Sequence, residues 1–107
     1  MTATYVCTYN EALELDDGFE WDEVKAEINF DEHKVRFEET KPVFDDPYSL
    51  TVTDDESDPD EQRFATMGAG ALGRVLVVVY TYRRQNIRII SARQAEPHER
   101  KEYEAQL

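Results

Sequence analysis

The stretch Arg74-Val75-Leu76-Val77-Val78-Val79-Tyr80-Thr81-Tyr82, followed by Arg83-Arg84-Gln85 and then Asn86-Ile87-Arg88-Ile89-Ile90-Ser91-Ala92-Arg93, decides the fold. Two β-rich runs joined by three residues predict neighbouring antiparallel strands, because a parallel pair needs a crossover of a dozen residues or more. The first run is apolar at successive positions, so both its faces meet other protein and it belongs at the centre of a sheet, covered by helices on at least one side. Alternation along the second run sends Ile87, Ile89, Ser91 and Arg93 to one face and Arg88, Ile90 and Ala92 to the other. On that reading the two arginines serve different surfaces, one for a phosphate and the other to fix the terminal helix or an acidic residue.

Upstream, Gly68-Ala69-Gly70-Ala71-Leu72-Gly73 reads as a turn and Arg63 to Gly68 as a third strand. Tyr48 to Thr53 gives a fourth, linked to the third by the acidic run Asp54 to Asp60. Phe19-Glu20-Trp21 alternates as a short strand, and Asp22 is a good N-cap for a helix from Glu23 to about Glu32. Val24 and Ile28 form its narrow apolar face, with Trp21, Val35 and Phe37 closing over them. A second helix is expected from Phe37 to Phe44, shortened or kinked by Pro42 and ended by Asp45-Asp46-Pro47. Downstream, Pro97 suits the first turn of a terminal helix that puts Arg100, Tyr103 and Leu107 on one face. The order predicts an α+β fold, an antiparallel β-sheet packed with two N-terminal helices and one C-terminal helix. Residues 1–18 read as an acidic N-terminal extension and residues 19–107 as the folded domain.

A chain of 107 residues has room for one domain. Its longest apolar run, Val75 to Tyr80, is far short of the roughly 20 residues of a membrane helix, and the start lacks the pattern of a secretory signal. The single Cys7 cannot form an internal disulfide, so a reducing cytoplasm is the expected setting. The formal net charge of -12 is at first sight adverse to polyanion binding. Its distribution matters more: residues 1–62 hold 4 Lys and Arg against 20 Asp and Glu, whereas residues 63–107 hold 8 against 4. The basic residues gather in the second segment, where a local positive surface survives because distant charges are screened over about 8 to 10 Å.

Lys25, Asn29 and His33 fall at i, i+4 and i+8, which makes them one polar stripe, either plain solvated surface or the wall of a groove shared with the basic strands. Arg63, Arg83 and Arg84 flank the strands and extend a basic patch, or else close salt bridges at the sheet edge. No Cys and His spacing suggests zinc, and the run Asp54 to Asp60 lacks the glycine turn and terminal Glu of a calcium loop. The glycines after residue 67 precede no helix that would receive a phosphate. Neither a metal nor a cofactor is expected.

Several blocks resemble, in order, the BrnT-type toxins. They are Phe19-Glu20-Trp21-Asp22, Lys25, Asn29, His33, Val35 with Phe37-Glu38-Glu39, and Phe44-Asp45-Asp46-Pro47. The second half adds Glu61-Gln62-Arg63-Phe64, Met67-Gly68, Arg74 to Thr81, Glu99-Arg100, Tyr103 and Glu104, with Ile87-Arg88-Ile89-Ile90-Ser91-Ala92-Arg93 the most specific piece. Departures are Lys34, where the family often has glycine, and Arg36, where it commonly has a capping serine. The resemblance implies a fold similar to the RelE group of ribonuclease toxins. It also implies an RNA substrate and a BrnA-like ribbon-helix-helix antitoxin partner, through which alone the chain would meet DNA.

RNA is cut without metal when the 2'-hydroxyl attacks the adjacent phosphodiester, a base takes its proton, cations stabilise the phosphorane and an acid protonates the leaving oxygen. Arg63, Arg88 and Arg93 are the candidate charge-stabilising groups, with Lys25 assisting and Arg83 and Arg84 holding RNA. His33 is the candidate acid or base, since an imidazole titrates near about 6.5; Glu61 or a lysine is the alternative. Tyr103 and Leu107, on an exposed apolar helix face, are expected to meet the antitoxin. Two rival readings are a non-catalytic antitoxin-binding module that acts in operon autoregulation, and an RNA-binding protein that sequesters without cutting.

Overall fold

The computed structural model describes residues 17–54 and 61–107. Its elements run β1 (Phe19–Glu20), α1 (Glu23–His33), a 3-10 helix (Phe37–Asp45), β2 (Leu50–Asp54), β3 (Arg63–Ala69), β4 (Val75–Arg83), β5 (Asn86–Gln94) and α2 (Pro97–Glu104). The expected β-prone piece Thr4 to Tyr9 and most of the acidic connection before β3 lie outside the described residues.

One sheet carries all five strands, in the order β1-β5-β4-β3-β2, so β4 is central as its apolar run predicts. Three pairings are antiparallel, but β1 runs parallel to β5 through Phe19 opposite Ile87 and Glu20 opposite Arg88. The sheet is therefore mixed, which corrects the expectation of an antiparallel one. Most of the chain lies between β1 and β5, the first and last of the described strands, a pairing that no local pattern announces.

The layer on one face contains α1 and the 3-10 helix over Val35, Phe37, Val43, Leu76, Val78, Tyr80, Ile89 and Ala92. An aromatic chain crosses this core, from Phe19 to Phe44 at 5.4 Å, Phe44 to Tyr80 at 4.8 Å, and Tyr80 to Phe64 at 5.7 Å between ring centroids. On the other face Tyr103 of α2 packs with Met67 and Ala95, and Leu50, Ala69, Val75 and Val77 lie beside them.

Asp22 caps α1 as expected, accepting from the amides of Val24 and Lys25 at 2.8 and 3.2 Å. The apolar face of α1 is not the one expected, since Val24 and Ile28 are 67% and 49% exposed. Ala26 and Asn29 face inward instead. The Asn29 carboxamide donates to the carbonyls of Val35 and Ala92 at 2.9 Å and accepts from the Ala92 amide at 3.0 Å. It thereby satisfies both backbone groups of Ala92 on the outer edge of β5, where β1 has already ended, so α1 closes an edge that would otherwise invite pairing.

The second helix is a 3-10 helix from Phe37 to Asp45 rather than an α-helix. Pro42 lacks the donor an α-turn needs, and the Thr40 hydroxyl donates to the Phe37 carbonyl at 2.7 Å, which suits the tighter winding. Two departures from the family pattern sit at its entrance. Lys34 closes α1 in the left-handed conformation, φ 59°, where glycine is the usual residue. Arg36 occupies the N-cap and makes no capping hydrogen bond, stacking over the Phe30 ring at 4.1 Å.

The turn between β3 and β4 docks on the same 3-10 helix. A Cβ at Gly70 would stand 2.7 Å from the Glu39 carbonyl oxygen and 2.6 Å from Leu76 Cδ1, so only glycine lets the two backbones approach. Buried Glu39 receives Arg74 at 2.8 and 2.5 Å, and Arg74 also donates to the Lys34 carbonyl at 3.0 Å. The hydrogen bond to Glu39 raises the Arg74 pKa against the opposing effect of burial, so the guanidinium stays charged.

Candidate active site

Arg88 and Arg93 share a face of the sheet, contrary to the alternation read from sequence. Val79 pairs with Ser91 and Tyr80 with Ile89, which leaves Ile90 as an extra residue in a β-bulge. An odd spacing in sequence thus becomes an even one in the ladder. Arg88 stands opposite Thr81 and Arg93 opposite Val77, two β4 residues of the same parity. Arg63 stands on the far side of Thr81, so Glu20, Arg88, Thr81 and Arg63 form one row across four strands. With a strand spacing of about 4.8 Å, Arg63 and Arg88 start about 10 Å apart. That row lies on the α2 face, and Arg93 projects from the same face nearer α2.

Each arginine is held by a carboxylate. Arg88 meets Glu20 at 2.8 Å, Arg63 meets Glu61 at 3.3 Å, and Arg93 grips Glu99 with both arms at 2.8 and 3.0 Å. The Arg93 pair fulfils the expectation that one arginine fixes the terminal helix. The Arg93 hydrogen bonds, with a further one from the Glu96 amide, hold the Glu99 carboxyl down at about 2. The same pair raises the Arg93 guanidinium, so both stay charged near neutrality. None of these partners was visible in the sequence, because they come from β1, the approach to β3 and α2. A cavity of about 720 Å³ opens beside Arg93, floored by Val52, Ala65, Met67 and Val77 and walled by Glu99 and Glu102.

Lys25 and His33 sit elsewhere. Both are exposed on α1, which packs on the opposite layer and along the β5 edge, and His33 lies 3.9 Å from Glu32. The polar stripe is also broken, because Asn29 between them is buried. The structure thus places Arg63 and Arg88 side by side across Thr81, with Arg93 on the same face four β4 positions away, and does not add Lys25 or His33 to them. Arg83 and Arg84 are exposed at the β4–β5 turn, one step beyond the Arg63 and Arg88 row.

Tyr103 corrects the expected antitoxin face. It is 6% exposed, and its hydroxyl donates to Asp46 Oδ2 at 2.5 Å. Leu107 lies beyond the last turn of α2 and is 70% exposed, so the two do not share a helix face. Asp46 also accepts from the amides of Tyr48 and Ala69, each at 2.9 Å, tying the 3-10 helix to β3 and α2. Burial pushes the Asp46 carboxyl up, but these hydrogen bonds outweigh it and leave it below its ordinary value, while Tyr103 is pushed up to about 12 by its bond to Asp46. The sequence signal for this joint is the Asp-Asp-Pro stop, whose second Asp is more than a helix terminator.

Among the described residues no three His, Cys, Asp or Glu side chains converge as a metal site. Nor is any described helix long and apolar enough to cross a membrane. The family model described as ribonuclease toxin, BrnT, of type II toxin-antitoxin system matches residues 21–99. The fold is similar to the 1.1 Å crystal structure of the Brucella abortus ribonuclease toxin BrnT, with a TM-score of 0.55 and 20% identity over 71% of this chain and 92% of that one. At that identity the likeness is one of fold. No curated protein matches the sequence significantly.

Proposed function

We propose, from the premise that the chain belongs to the BrnT family of ribonuclease toxins of type II toxin-antitoxin systems, that it cuts RNA without metal and so inhibits translation. The observation that carries this reading is the placement of Arg63 and Arg88 in one cross-strand row, with Arg93 further along the same sheet face. Planar guanidinium groups bind a phosphodiester through paired donors and stabilise the charge that grows as the 2'-hydroxyl attacks. The carboxylates that hold them in the free protein fix their rotamers and are exchanged for phosphate oxygens when RNA arrives. Lys25 and His33 stand on another layer, so Glu61, beside Arg63 in this arrangement, is the better placed proton acceptor.

The partner in this reading is a BrnA-like ribbon-helix-helix antitoxin in the cytoplasm, with exposed Leu107 as one contact and DNA bound only through that partner. The 1–18 extension precedes a 19–107 toxin domain of RelE-like fold. One observation favours the non-catalytic module as a second reading: each of the three arginines already has a carboxylate partner. End-labelled RNA in excess chelator separates the two. The ribonuclease cuts it, Arg88→Ala lowers the rate at least about 100-fold, and Glu61→Gln changes the pH profile. The silent module forms a stable antitoxin complex and leaves the RNA intact.

A further inference from the structure

The remaining unused chemistry lies at the β4–β5 hairpin. Arg63, Arg74, Arg88 and Arg93 each hold a carboxylate, whereas Arg83 and Arg84 pair with none of the described residues' carboxylates and point to solvent. Two adjacent guanidinium groups without a carboxylate partner among the described residues concentrate positive charge locally in a chain with net charge -12. Arg84 has φ 61° in the two-residue link Arg84–Gln85, a place where glycine or asparagine is the low-energy choice.

Tyr82, the preceding residue, is 59% exposed. Its ring is set by contacts with Phe64 at 5.5 Å and Tyr80 at 5.8 Å, the end of the aromatic chain that crosses the core. Partial burial and the neighbouring Tyr80 raise its phenol above the ordinary value, so it stays uncharged beside any anion. A cleft of about 460 Å³ lies between this tip and the approach to β3, bounded by Glu61, Phe64, Tyr82, Arg83 and Arg84 among others. Glu61 is the partner of Arg63, so the cleft adjoins the candidate active site.

We propose that the hairpin tip is a nucleotide subsite, in which an unpaired base of single-stranded RNA stacks on Tyr82 and the phosphates beside it lie on Arg83 and Arg84. The inference rests on the ribonuclease reading and deepens it. Only an unpaired base offers its flat face, and stacking on an aromatic ring tolerates any base. Tyr82 follows Thr81, the residue flanked by Arg63 and Arg88, and points to the opposite sheet face. The RNA therefore turns over the end of the sheet, with a base at Tyr82 and the cut phosphate of a neighbouring nucleotide at Arg63 and Arg88. The subsite selects single strands and sets which bond is cut.

The test measures the binding of the full chain to a labelled octamer of 2'-O-methyl RNA, which cannot be cut, alongside cleavage of ordinary RNA by the same proteins. Tyr82→Leu keeps apolar contact with Phe64 and Tyr80 but has no π-face, and it is expected to weaken binding about 5- to 150-fold, with Tyr82→Phe within about twofold of the parent. Arg83→Ala with Arg84→Ala is expected to reduce the slope of log affinity against log salt by about 1.4, two phosphate contacts' worth. Unchanged binding by Tyr82→Leu, in a protein that still cuts RNA through Arg88, overturns the subsite and leaves the ribonuclease reading standing. A parent protein that neither binds nor cuts RNA overturns both.

Discussion

Arg88 and Arg93, five residues apart on β5, project from one sheet face because Ile90 is unpaired opposite the Val79–Tyr80 step. In the free protein Glu20 holds the first and Glu99 the second. On the proposed ribonuclease reading, phosphate binding competes with an internal carboxylate. Glu20→Gln removes one competitor without changing shape, and RNA affinity is expected to rise about two- to fivefold at low salt, the scale of a half-exposed ion pair. Affinity measured against salt checks it; a fall would mean that Glu20 positions Arg88 more than it occupies it.

Tyr103 and Asp46 make a joint whose pH signature is alkaline. The Tyr103 hydroxyl titrates at about 12 in the fold against an ordinary 10. A raised folded pKa gives stability that is complete below pH 10 and is lost as pH climbs toward 12. Tyr103→Phe is expected to cost about 1 to 3 kcal/mol at neutral pH, the scale of a hydrogen bond to a charged group. It should also remove the extra destabilisation between pH 10 and 12 seen in denaturant melts of the parent.

Asn29 is the strongest single test of the α1 contact. Asn29→Ala strands the amide and carbonyl of Ala92, and a loss of about 2 to 4 kcal/mol is expected. Asn29→Asp keeps the acceptor for the Ala92 amide but turns a donor toward two carbonyls into a carboxylate. It should be at least as damaging at neutral pH and recover partly in acid, as read by chemical denaturation.

These residues mark what the sequence could and could not reveal. The β-branched runs announced β4 and β5, the glycine turn after Met67 helped to bound β3, the Asp22 cap announced α1, and Pro97 announced α2, because each signal is local. The parallel pairing of β1 was hidden, since two residues carry no register of their own and their partner lies near the other end of the chain. The sequence singled out the arginines, but one extra residue at Ile90 reversed the face assigned to Arg88 relative to Arg93. Asn29 and Tyr103 looked like surface because spacing shows which residues share a helix side, not which side meets the sheet. The carboxylate partners were illegible for the same reason, being brought in from three different elements.

Lys34 gives a test in the stabilising direction. Its left-handed conformation, φ 59°, favours glycine, and its ring contact with Phe30 is a loose 5.6 Å. Lys34→Gly is expected to gain about 0.5 to 1 kcal/mol, seen as a higher thermal midpoint, with RNA cleavage unaltered. A lower midpoint would show that the side chain contributes more than the backbone loses.

The most direct measurement incubates the purified chain with end-labelled RNA in excess chelator, beside an Arg88→Ala/Arg93→Ala variant shown to be folded, and reads both fragments and their end chemistry. The account predicts wild-type fragments with cyclic-phosphate ends and none from the variant. Equal cleavage by both proteins, or loss of wild-type cleavage on adding chelator, would contradict it.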